Sequence, residues 1–160
     1  MSDTSPSATR HARFAADAAA VQQAADALDV FCAEEGVSRQ DRWPLQVALD
    51  EILTNVVSHA RDGAGSPIFD VWFRRVGDDL EVVVADDGPA FDPLSQPAPD
   101  VTLPLEKRQP GGLGIMLVKT LLDEVRYERT TRNVVTLRKR MPAGGVPGEA
   151  GPDEHSAERA

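Results

Sequence analysis

The chain has 160 residues, 41% hydrophobic and 27% charged: enough for one domain with a core, too short for two comfortable ones, and unlike a chain disordered throughout. Its formal net charge of −9 argues against a sequence-independent grip on nucleic-acid phosphates and suits a soluble surface able to meet a basic partner. The single cysteine, Cys32, rules out an internal disulfide; beside Val30 and Phe31 it reads as a small core residue in a reducing, cytoplasmic setting.

The first residues, 1–9, are small and polar and are expected to be disordered, with neither the basic nor the apolar region of a signal peptide. No apolar run reaches the length of a membrane-spanning helix. Residues 10–14 suggest a short edge strand. Residues 17–35 are alanine-rich, with Val21, Ala24, Ala25, Leu28 and Phe31 at helical spacing, and Gly36 ends the pattern. A second helix is expected over about 41–59, with Pro44 in its first turn and an apolar stripe from Leu45 through Val57. Residues 61–67 form a loop. The period then changes to two: in 68–76, Phe69, Val71 and Phe73 share a face, and after the turn signal Gly77-Asp78-Asp79 the nearly continuous apolar run 80–85 reads as a central strand.

Residues 94–110 carry four prolines and no sustained period, a stretch of the kind that serves as a lid. A helix over 113–122 is apolar on most sides and is expected to be buried. Two strands, 125–130 and 134–140, flank the turn Thr131-Arg132-Asn133, and the Pro-, Gly-, Ala- and Glu-rich residues 142–160 read as a disordered tail. Helices and paired strands mix without regular βαβ alternation. The fold class is therefore α+β: a two-layer α/β sandwich whose mixed, mostly antiparallel sheet is covered on one face by helices.

Three clusters carry chemistry. Glu51, Asn55 and His59 lie one helical turn apart on the edge of the second helix's apolar stripe. The carboxylate can accept a proton from a hydroxyl, and the amide oxygen can ligate magnesium; a plain polar edge is the competing reading. Asp86-Asp87-Gly88-Pro89-Ala90-Phe91-Asp92-Pro93 follows the central strand directly. A carboxylate there can accept a hydrogen bond from an exocyclic amine, and Gly88 lets the backbone approach a flat ligand; an ordinary Asp-Gly turn is the competing reading. Gln109-Pro110-Gly111-Gly112-Leu113-Gly114 leads into the third helix, where exposed N–H groups suit phosphate. It is neither a Walker A loop nor a dinucleotide fingerprint, and lid punctuation is the competing reading.

In this order and spacing the three resemble the boxes of the ATPase domain shared by DNA gyrase, Hsp90, histidine kinases and MutL (the GHKL group, with the Bergerat ATP-binding fold). Within it the chain is most similar to the small single-domain anti-sigma-factor serine/threonine kinases. Residues 122–129 and 133–137 also resemble that subgroup's last two strands. The resemblance covers residues 10–141, which it makes one histidine-kinase-like ATPase domain with 94–110 as the ATP lid.

The resemblance implies roles residue by residue. Glu51 would be the general base and Asn55 the magnesium ligand. Asp86 would bind the adenine amine and Gly88 shape the adenine pocket. Ala90 stands where the family often has glycine and would narrow that pocket. Gly111, Gly112, Leu113, Gly114 and Ile115 form the third box, with Gly112 and Gly114 against phosphates. His59 would be structural or line the ligand. The implied cofactors are ATP and Mg2+. The implied activity is partner switching: the protein sequesters a sigma factor and phosphorylates a serine of a STAS-domain anti-anti-sigma antagonist, in the cytoplasm, with no direct contact to nucleic acid or membrane, and with homodimerisation as a further family expectation. The rival reading is an ATP-gated protein-binding module without significant phosphotransfer; a plain structural adaptor would require all three boxes to be coincidences.

Overall fold

The computed structural model describes residues 8–60, 67–95, 102–107 and 113–142. The expected disorder of most of 1–9 and of the tail, the loop 61–66 and most of the 94–110 lid fall outside the described residues, as do Gly111 and Gly112. Strand β1 (Thr9–Ala15) precedes helices α1 (Ala18–Glu34) and α2 (Arg39–Ala60). The hairpin β2 (Ile68–Val76) and β3 (Asp79–Asp86) follows, then α3 (Leu113–Leu121), β4 (Glu124–Arg129) and β5 (Asn133–Arg140).

Local signals set the boundaries. The Asp17 side chain accepts from Ala20 N at 2.9 Å and caps α1, and Gly36, at φ 70°, turns the chain out of it. Helix α2 begins two residues earlier than the apolar stripe suggests, because Ser38 Oγ accepts from Asp41 N at 3.0 Å in a local cap. Pro44 consequently sits in the second turn rather than the first, and cannot donate to the carbonyl of Gln40, four residues back. Gly77, at φ 59°, makes the tight turn between β2 and β3.

The sheet order is β1-β2-β3-β5-β4, and every neighbouring pair is antiparallel. The apolar run of β3 does lie at the centre. All three helices cover one face, with α2 between α1 and α3 and packed over β3 and β5. The inner sheet face sends Phe69, Phe73, Val82 and Leu137 into the core against Leu28, Leu49, Ile52 and Val118. Each such large side chain contributes about 1.5–3 kcal/mol by leaving water.

Two sequence expectations change here. Helix α3 is not buried on most sides: Ile115 and Val118, with Leu122 just past its end, face the core, but Met116 and Leu117 are each 43% exposed, since α3 flanks α2 and touches the sheet along one stripe only. Asn133 is the first residue of β5, as the resemblance over 133–137 has it, rather than the last residue of the turn, and lies directly opposite Asp86.

Candidate functional site

The central strand delivers Asp86 to the end of the sheet, on the face that the helices cover, where it is 8% exposed. Its Oδ1 accepts from Gly88 N at 2.9 Å and from Asn133 Nδ2 at 3.1 Å. Among the described residues no hydrogen bond occupies Oδ2, so half of the carboxylate remains available. A Cβ at residue 88 would lie 2.8 Å from Asp86 Oδ1, so the turn needs glycine for this close approach. Asn133 is saturated. Its amide nitrogen also donates to Pro89 O at 2.8 Å, and its oxygen accepts from Tyr127 OH at 2.7 Å and Phe91 N at 3.2 Å. The second box is thus laced to β5 and β4 through one amide.

Helix α2 brings the first box to the same place. Glu51, Asn55 and His59 are all half-buried along the edge of its stripe, and Asn55 and His59 line a hollow with Ile52, Asp86, Phe91 and Asn133. The hollow has a volume of about 20 Å³, room for about one water molecule. The rings of His59 and Phe91 lie across it with centroids 3.9 Å apart. Ala90, expected to narrow the pocket, is exposed and outside this lining, to which its neighbour Phe91 contributes.

Glu51 points to the start of α3. A Cβ built on Gly114 would fall 2.0 Å from Glu51 Cδ and 2.2 and 2.3 Å from its two oxygens, so the carboxylate rests on bare backbone where any side chain would displace it. Burial, and secondarily the charge of Asp50, raise the Glu51 carboxyl above its ordinary 4.5. Ile115, the last residue of the third box, is buried in the core. Lys119 Nζ donates to Leu94 O at 3.2 Å and ties α3 to the segment that follows the second box.

A family model described as "Histidine kinase-like ATPase domain" matches residues 14–139. The chain belongs to that family. Among similar proteins, the serine/threonine-protein kinase BtrW of Bordetella bronchiseptica is 30% identical over 66% of this chain and 79% of its own length. The serine-protein kinase RsbW of Bacillus licheniformis is 33% identical over 70% of this chain and 72% of its own. RsbW of Bacillus subtilis is 35% identical over 59% and 62%. This histidine kinase-like ATPase domain therefore falls in a protein serine/threonine kinase group, the anti-sigma-factor kinase type. A crystal structure of the RsbU and RsbW domains of a Mycobacterium tuberculosis protein superposes with a TM-score of 0.57 at 19% identity, covering 83% of this chain and 32% of that one, which shows the shared fold.

Two buried polar residues at this end of the sheet were not singled out from sequence. Asn133 reads as a turn asparagine, and its one signal is its place at the start of the last strand. Asp70 is a lone carboxylate in the apolar run Ile68–Val76 and is wholly buried on the uncovered sheet face. Cys32 is a core residue as expected; burial, against the opposing pull of Arg42, pushes its thiol up to about 11 and leaves it inert. Among the described residues no helix is long and apolar enough to cross a membrane.

Proposed function

We propose that the chain binds ATP with magnesium between its three boxes and works as a partner-switching kinase, sequestering a sigma factor and phosphorylating a serine of a STAS-domain antagonist in the cytoplasm. The convergence of Asn55 and Asp86 on one hollow, with Glu51 beside them at the start of α3, carries this reading. In it, Asp86 Oδ2 accepts from the adenine amine and Gly88 admits the base. The backbone of residues 111–115 offers N–H groups to the phosphates, and 94–110 folds over as the lid. Residues 10–141 make up the working domain.

The donor set fits magnesium held on a nucleotide. No group of three or more His, Cys, Asp or Glu side chains gathers among the described residues, so Asn55 would share the ion with phosphate and water oxygens. The ion would supply charge neutralisation at the transferred phosphoryl group. Glu51 takes the proton of the attacking serine hydroxyl, a task that its raised carboxyl suits.

The test is transfer of labelled γ-phosphate to the STAS-domain antagonist of the same organism. Glu51→Ala should keep ATP binding and lower transfer by about 10²–10⁴-fold. Transfer at the wild-type rate in that variant would remove Glu51 from the role of base. The closed hollow favours one rival, a module whose partner affinity is gated by ATP; wild-type chain that binds ATP and partner but labels no serine would establish it.

A further inference from the structure

The end of β3 is gripped from both faces of the sheet by two successive residues. Asn133 holds Asp86 from the helix-covered face, as described above. Arg132, immediately before it, reaches over the opposite face. Its Nε lies 2.5 Å from Asp87 Oδ1, and its Nη2 lies 3.1 Å from Ala85 O and 2.8 Å from Asp70 Oδ2. The guanidinium thus bridges the residue before Asp86, the residue after it, and the neighbouring strand.

The anchor of this bridge is Asp70, whose side chain is 1% exposed although no helix covers its face. Besides Arg132 it receives His11 Nε2 at 2.6 Å and Arg13 Nε at 2.9 Å, both from the edge strand β1. Burial alone would raise its carboxyl; the hydrogen bonds from Arg13, His11 and Arg132 outweigh this and hold it at about 2. The anchor is therefore ionised at any ordinary pH. A planar fork with several fixed donors can span these acceptors at once, which a lysine cannot.

We infer that Arg132, anchored by Asp70, is a positioning residue for base recognition, holding the backbone of Ala85 and the side chain of Asp87 on either side of Asp86 so that its free oxygen is aimed at the exocyclic amine of a 6-aminopurine nucleotide. The inference rests on the nucleotide reading of the hollow. Strand pairing alone does not need this bridge, because Ala85 and Asp86 are already in register with Val134 and Asn133. What the bridge adds is the orientation of the turn beyond the last pair, at Asp87 and Gly88, from which Asp86 takes one of its two hydrogen bonds.

The test compares ATP with inosine triphosphate, which has a carbonyl in place of the amine, by titration calorimetry on the full chain. Wild type should prefer ATP. Arg132→Met should weaken ATP about tenfold and leave inosine triphosphate within about twofold, so that the preference collapses. Asp87→Ala removes only one leg of the bridge, guards against a misfolded Arg132 variant, and should narrow the preference about threefold. A merely structural role would weaken both nucleotides in parallel, and an ATP preference that survives in both variants overturns the inference while leaving the nucleotide site standing. Wild type that binds neither nucleotide overturns the site and the inference together.

Discussion

Among the described residues, two hollows lie at opposite ends of the sandwich, and the larger is not the one where the chemistry gathers. At the end where β3 begins, a cleft of about 600 Å³ is bordered by Asp41, Asp78, Asp123, Lys139 and Arg140. Its charges are exposed or half-buried and partly spent on one another: Lys139 Nζ lies 3.3 Å from Asp123, which also takes Arg140 N at 2.6 Å. At the end where β3 stops, the hollow measures only about 20 Å³. Yet the buried polar side chains among the described residues are Asp70, Asp86, Asn133 and Thr136, and the first three belong to this smaller end. Burying polar groups costs stability unless partners are built for them. The smaller end is the built one, and volume is a poor guide to it.

The largest effect that could break this contrast is at Gly114. Gly114→Ala puts a methyl where the Glu51 carboxylate rests; misplacing a reacting group by about 1 Å costs on the order of 10²-fold, so phosphotransfer should fall at least that far while the melting temperature barely moves. An equal rate in the variant would detach Glu51 from the third box.

Asp70 sharpens the contrast in stability. Its folded carboxyl sits at about 2 against an ordinary 3.8. The stability it contributes is therefore complete above 3.8 and lost as the pH falls through 2. Asp70→Asn should lower stability at neutral pH by on the order of 2 kcal/mol and flatten the acid limb of the pH profile between those values. Urea melts across that range measure both, and a variant with the wild-type acid limb would deny Asp70 its ionised state.

The smallest effect belongs to the large cleft. Lys139→Ala removes an exposed pair and should change stability by no more than about 0.5 kcal/mol, with ATP binding untouched. A loss of ATP affinity there would mean that the two ends had been assigned the wrong way round.

How much of this was legible beforehand follows from the physics of each signal. The stripe of α2 and the alternation of β2 are periodic, so the core and the placement of Glu51, Asn55 and His59 on its rim could be read directly. Asp86 followed from its place after an apolar strand. Asn133 and Arg132 could not be read, because their work depends on the register of β5 against β3, and register is a long-range property that a local turn signal such as Thr131-Arg132-Asn133 conceals. Ser38 moved the start of α2 because a cap is a single polar contact outside the apolar pattern. Met116 and Leu117 are exposed because α3 has one packed stripe, which its overall hydrophobicity masks. Phe91 closes the hollow by a ring contact with His59 across 32 residues of chain, and no spacing rule reports that.

The measurement that bears most directly on the site is a thermal melt of wild type, Asp86→Asn and Lys139→Ala with and without magnesium and ATP. A ligand that binds only the folded chain raises the midpoint with its occupancy. Losing a hydrogen bond to a charged acceptor weakens binding about tenfold or more. The expected result is a clear rise with ATP in wild type and Lys139→Ala that disappears in Asp86→Asn. A rise retained in Asp86→Asn, or none in wild type at millimolar ATP, would contradict the assignment of the small hollow as the nucleotide site.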